Sequence, residues 1–232
     1  MTAQEPPQFV LDLAHRPALG AEDFFVSRSN AAAVALVDRW PDWAMSSALV
    51  VGPRSTGKTH LANVWRLRSQ AADLSAGALS ESAVGALQSA RALVVEDLDR
   101  GIADERVLFH LLNMAAEHNL SVLLTSARPP GELTVALPDL RSRLRALALV
   151  GIETPDEALL RALLVKLFAD RQLIVEPHVV DRIALHMDRS MCAAATIVAE
   201  IDRRALALQR KVTRALAAEA MTAVANGSGA MP

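Results

Sequence analysis

The stretch SALVVGPRSTGKTHLANVW, residues 47 to 65, limits the fold of this chain more than any other. Ser47 to Val51 has the length and apolar character of a buried strand, and Gly52, Gly57, Lys58 and Thr59 follow it in the spacing G-x-x-x-x-G-K-[ST]. That spacing needs a strand that passes through a glycine turn into a helix, and Lys58 to about Gln70 reads as the helix. In such a turn the backbone N–H groups wrap phosphates, and the helix N-terminus adds its positive dipole end. Gly52, Pro53, Arg54, Ser55, Thr56, Gly57, Lys58, Thr59 and His60 are therefore the candidate nucleotide-binding segment. Lys58 is expected to neutralise the outer phosphates and the Thr59 hydroxyl to help hold Mg²⁺, with ATP or ADP as the ligand.

Two further apolar runs, ALVVE at 92 to 96 and SVLLT at 121 to 125, have strand length and no polar alternation, as strands covered on both faces do. Between them, DERVLFHLLNMAAEHN at 104 to 119 puts Val107, Leu108, Leu111, Leu112 and Ala115 on one helical face. Strand, helix, strand in that order predicts an α/β fold with a parallel sheet flanked by helices. Asn30 to Arg39 has helical composition, and Pro41 marks its end. After about residue 153 the character changes. TPDEALLRALLVKLFADR opens with Thr154 as the expected N-cap and Pro155 at the first helical position. Helical stretches are expected at about 177 to 187, 190 to 208 and 211 to 225, with no strand. The expected organisation is a flexible arm over 1–20, a nucleotide-binding base domain over 21–152, a small all-helical domain over 153–226 and a disordered tail over 227–232.

Cleavage of a bound triphosphate needs a carboxylate that holds the metal and a polar group that orients water. Glu96 and Asp97 end an apolar strand, and open α/β sheets place their ligand sites at such carboxyl ends. Glu96 with Thr59 is the candidate metal pair. At the end of the third run, Thr125 or Ser126 either contacts the outer phosphate or the water, or caps a turn.

Charge argues against several functions. With 24 Lys+Arg against 26 Asp+Glu, the net charge of -2 offers no broad attraction for DNA or anionic lipid, and no direct sequence-specific DNA binding is expected. Arg203, Arg204, Arg210, Lys211 and Arg214 share their region with Glu200, Asp202 and Glu219, which reads as a solvated helix face. The single cysteine, Cys192, rules out an intrachain disulfide framework, and MTAQEPPQ lacks a secretory pattern. The apolar runs are far shorter than the roughly 20 residues of a membrane helix. A cytoplasmic protein is expected.

GKTHLA, VVEDLD, LLTSARPPGEL and LPDLRSRL, in this order and followed by a helical segment, resemble the AAA+ part of the bacterial replication initiator DnaA over most of residues 20 to 210. The chain ends before the helix-turn-helix DNA-binding domain of DnaA. With HRPALGAEDFFV, DRWPDW and VEDLDR it is similar to the Hda-type DnaA-related regulators of the alphaproteobacterial branch. The resemblance implies an AAA+ P-loop NTPase with a small all-helical lid. It also implies a negative regulator of chromosomal replication initiation that binds ATP or ADP, docks on the sliding clamp (the beta subunit of DNA polymerase III) and promotes hydrolysis of DnaA-bound ATP. Clamp docking would use Gln8, Leu11 and Leu13 of QFVLDL, and Arg143 of LRSRL would be an arginine finger that reaches a neighbouring subunit's nucleotide. Such a protein works in the cytoplasm at the nucleoid and replisome. The alternative is a DnaA-related helicase-loader ATPase.

Three departures from the family pattern point to retained nucleotide binding with weak turnover. Glu96 stands where the family usually has Asp, and Ala127 where Asp is often found. Cys192 aligns with the family's phosphate-contacting lid Arg, and Arg189, about one helical turn earlier, is the candidate substitute. Apolar spacing in AAATIVAEIDRRALALQRK fits either an ordinary packed helical domain or self-association into a homo-oligomer.

Overall fold

Ser47–Val51, Ala92–Glu96 and Ser121–Ser126 form strands β3, β5 and β6 of a five-stranded sheet in a computed structural model that describes residues 15–18, 21–85, 90–118 and 120–228. The edge strands are β4, Ala72–Ser75, and β7, Ala148–Gly151, and the order β4-β5-β6-β3-β7 is parallel throughout. The continuous apolar runs of the inner strands have the expected cause: both faces are covered. On one face Leu49, Leu93, Val95, Val122 and Leu124 pack against α4, Glu105–Glu117, and α5, Pro138–Arg145. On the other face Ala48, Val50, Val94 and Leu123 meet α1, Ala31–Arg39, and α2, Lys58–Ser69.

The tryptophans lie on that second face. Trp65 of α2, 0% exposed, stacks on Trp43 at a centroid distance of 5.2 Å and meets Trp40 edge-on at 6.1 Å. The indole N–H groups of Trp40 and Trp43 donate to Ser121 Oγ and to the Leu36 carbonyl, so neither loses a hydrogen bond on packing.

Some elements depart from the sequence-based expectation. The strands β4 and β7 have four residues each and half-bury only alternate side chains; β7 is apolar, ALVG, yet its Leu149 is 51% exposed. A short helix, α3, spans Glu81–Gly85. The expected arm includes His15–Ala18, which forms β1 and pairs antiparallel with β2, Ala21–Phe25.

His15–Thr154 form one compact unit, and Pro155 opens the chain's C-terminal part of another. The described part of the latter is helical: α6, Glu157–Asp170, α7, Pro177–His186, α8, Met191–Leu208, and α9, Arg214–Ser228. Its core joins Leu160, Leu164, Phe168, Ile183, Val198 and Ile201. Thr154 does not cap α6. The Asp156 carboxylate accepts the N–H of Leu159 at 2.8 Å, so the helix starts at Glu157, two residues later than a cap at Thr154 with Pro155 first would place it. A carboxylate in that place also complements the helix dipole, which a hydroxyl does not. The last helix begins at Arg214 instead of 211 and runs through Ser228. The basic face is neutralised locally: Arg203 and Arg204 both donate to Glu200, and they hold its carboxyl down at about 2.

Two substitutions test this packing. Leu140→Ala, at a position 0% exposed between α5 and α4, is expected to lower stability in urea unfolding by about 2–5 kcal/mol. At Gly52, where β3 ends, an added Cβ would stand 2.2 Å from the Ile152 carbonyl oxygen, a backbone atom that cannot step aside. Gly52→Ala is therefore expected to push β3 and β7 apart and lower stability by roughly 1–3 kcal/mol in the same measurement.

Candidate functional site

The register of the sheet brings the site together. Val51 lies opposite Ser126 and Val95 opposite Leu124, so the loops after β3, β5 and β6 leave the same edge of three adjacent strands. The loop after β3 is held by its own groups and by the end of β6. Gly52 N–H donates to Ser126 O, the Thr56 hydroxyl donates to Pro53 O at 2.9 Å, and Ser55 and Gly57 take φ of 60° and 100°. Those positive φ values turn the chain sharply into the first turn of α2.

Lys58 is 8% exposed, and its ammonium donates to the carbonyls of Gly52 at 2.7 Å and Pro53 at 2.8 Å. Burial lowers its pKa, while Asp99 and Asp97 pull in the other direction. A cation so placed, at a helix start and ringed by backbone, is suited to an anionic group such as a phosphate. Next to it Thr59 Oγ1 donates to Glu96 Oε2 at 2.6 Å. These two residues, 37 apart in sequence, present the hard oxygen donors that Mg²⁺ takes. The donor set and the loop fit a magnesium nucleotide.

Asp97 follows Glu96 with φ of 63°, a left-handed turn that its own N–H stabilises by donating to Thr125 Oγ1 at 3.1 Å. Its carboxylate pairs with Arg100 at 3.2 Å. Thr125 is 1% exposed, and its oxygen locks the ends of β5 and β6 together. Ser126, 0% exposed, closes a turn: its hydroxyl donates to Arg128 O and accepts the Arg128 N–H. Of the two readings for Ser126, capping a turn is the one its bonds fit. His60 is exposed on the first turn of α2.

Sequence reasoning missed Asp99. Its side chain is 5% exposed, Oδ1 accepts the Ala127 N–H at 2.6 Å, and Oδ2 lies 3.8 Å from the Arg54 guanidinium. It thus supplies a carboxylate at Ala127, the position whose missing Asp counted as a departure. The signal was the third acid of VEDLD, which Asp97's left-handed turn and the following 3₁₀ turn, Leu98–Arg100, bring round to β6.

Arg143 lies on α5, half-buried, and its guanidinium reaches the Leu112 carbonyl on α4 at 3.4 Å. In the helical unit, Arg189 is exposed but is not one helical turn from Cys192. It sits in the bend before α8, because Ser190 caps that helix by accepting the Ala193 N–H, and the helix begins only at Met191. Arg189 therefore leaves the chain in a direction that helical spacing does not set. Cys192 is exposed in the first turn. Gln8, Leu11 and Leu13 lie outside the described residues. Among the described residues no helix is long and apolar enough to cross a membrane.

No protein-family model matches the chain, and no curated protein matches it in sequence. Solved structures do match. Domain III of the Thermotoga maritima replication initiation protein DnaA superposes with a TM-score of 0.74 at 17% identity, over 90% of this chain and 97% of that one. AMPPCP-bound DnaA from Aquifex aeolicus gives 0.67 at 20% identity, over 81% of this chain and 66% of that one. A variant of RuvB from Thermotoga maritima gives 0.68 at 15% identity, over 85% and 70%. At these identities the likeness establishes the fold alone: the chain has the parallel α/β architecture of domain III of DnaA.

Proposed function

We propose that this chain is a nucleotide-anchored regulator of replication initiation, which binds ATP or ADP and acts on the nucleotide of a DnaA-type partner through Arg143. The observation that carries this reading is a division of labour. A complete phosphate loop, with Lys58 buried in it and Thr59 paired to Glu96, stands apart from an arginine whose hydrogen bond goes to α4 and not to that loop. A guanidinium kept out of its own phosphate loop is available to another subunit's.

Each residue then has a task. Backbone N–H groups between Gly52 and Lys58 bind the β- and α-phosphates, and the Lys58 ammonium exchanges its two carbonyl partners for phosphate oxygens. Thr59 and Glu96 would hold Mg²⁺, which supplies charge neutralisation between the outer phosphates. Glu96 is longer than Asp by one methylene and already engages Thr59, which supports binding with slow turnover by the chain itself. Arg143, presented in trans, stabilises the charge that spreads over the transferring phosphoryl group, an effect of roughly 10³–10⁵ in rate. Docking on the sliding clamp through Gln8, Leu11 and Leu13 would hold the regulator where initiation has just occurred.

The deciding assay follows hydrolysis of DnaA-bound ATP with DNA-loaded clamp present. Wild-type protein is expected to accelerate it, Arg143→Ala to lose the acceleration by on the order of 10³, and a variant without residues 1 to 13 to lose its dependence on the clamp. If wild type gives no acceleration the reading fails, and a pull-down that recovers helicase but no clamp would replace it with a helicase loader. Separately, calorimetric titration with Mg-ADP is expected to show Lys58→Ala binding about ten- to a hundredfold more weakly, the loss of a charge-assisted hydrogen bond.

A further inference from the structure

The loop Ala127–Leu137 joins β6 to α5, and a carboxylate holds each of its ends. At the start, Asp99 Oδ1 accepts the Ala127 N–H at 2.6 Å. At the far end Glu105 accepts two N–H groups, Ala136 at 2.8 Å on one oxygen and Leu137 at 2.6 Å on the other. Asp99 lies in the connection between β5 and α4, and Glu105 where that connection enters the helix. Glu105 is the first residue of α4, yet that helix does not need it as a cap, because Asp104 already accepts the N–H groups of Arg106 and Val107. Its carboxylate is spent on another segment.

Between the two holds the path is stiff. Pro129 and Pro130 fix their φ, and the N–H groups of Glu132 and Leu133 close a 3₁₀ turn on the carbonyls of those prolines. Past the second hold, Arg141 donates to Val135 O at 2.6 Å, and α5 carries Arg143 onto α4. The other oxygen of Asp99 faces Arg54 of the phosphate loop at 3.8 Å, and Arg54 is 71% exposed and free to turn.

We propose that Asp99 and Glu105 are positioning residues that pass the state of the phosphate loop to α5, so that the posture of Arg143 depends on the nucleotide held at Lys58. The proposal rests on the reading of Arg143 given above. Phosphate in the loop attracts Arg54, releases the Asp99 carboxylate from it and leaves that carboxylate to hold Ala127 more firmly. The stiff loop carries the change to Ala136 and Leu137, which Glu105 fixes against α4.

Residue-resolved amide exchange of the full chain, without nucleotide and with saturating Mg-ADP or Mg-ATP, tests this. In wild type the nucleotide is expected to slow exchange at Ala136 and Leu137 by roughly fivefold, the size of one net hydrogen bond. Arg54→Ala is expected to remove that slowing at saturating nucleotide. In Glu105→Ala both amides exchange quickly in either state while Mg-ADP still binds, and Glu105→Gln, which keeps an acceptor oxygen, is intermediate. In the partner assay Glu105→Ala lowers the maximal rate and leaves the half-saturating concentration unchanged. Equal protection with and without nucleotide in wild type, or unchanged protection in Glu105→Gln and Glu105→Ala, overturns the proposal. Arg143→Ala that stimulates as wild type does would instead remove the functional reading, and the exchange data would still judge the coupling.

Discussion

In the ladder of β5, β6 and β3, hydrogen bonds between parallel backbones set Val95 opposite Leu124 and Val51 opposite Ser126. A slip of one residue would turn every buried side chain of a strand to the opposite face, so the covered faces enforce this register. The pairing decides the chemistry: Thr59 and Glu96 meet at 2.6 Å because the loop that leads into α2 leaves a strand whose level is already fixed. The buried Thr125 closes the arrangement by tying the N–H of Asp97 to β6. The site's geometry is thus a property of the sheet and less of the loops that complete it.

Lys58 shows what the sheet supports. An ammonium that is 8% exposed loses much of its hydration, and two carbonyls only partly replace it. The acids around it, Asp97 and Asp99, oppose the resulting fall in pKa. Both acids thus favour the charged ammonium, the group that an anion entering the loop would meet. Those same acids also bond elsewhere, Asp97 to Arg100 and Asp99 to Ala127 and Arg54, which links the charge of the loop to the structure around it.

The sequence was readable where a pattern was continuous. β3, β5 and β6 announced themselves because both faces are buried, and α4 because its apolar face repeats over thirteen residues. The edge strands are four residues long and half-bury only every second side chain, and α5 has eight residues of which Asp139, Arg141, Arg143 and Arg145 are charged. Neither gives a window long enough for a period to show. At the site, the phosphate-loop residues and Glu96 could be picked out from spacing and strand ends. Asp99 and Glu105 could not, since their partners are backbone N–H groups distant in sequence, which no residue pattern marks. Arg189 stands one residue before the cap, Ser190, so the one-turn spacing to Cys192 that a helix would set does not govern it.

The tryptophan cluster has a consequence for how the molecule shows itself to light. The chain has 3 tryptophans and no tyrosine, and Trp40, Trp43 and Trp65 all lie within the unit that holds the phosphate loop. Near-ultraviolet emission therefore arises from one ring stack on the back of α2, and the helices after Pro155 contribute none. Emission follows the melting of the nucleotide-binding unit alone, whereas far-ultraviolet dichroism sums both units. Any interval between the two signals on heating measures how independently the helical unit folds.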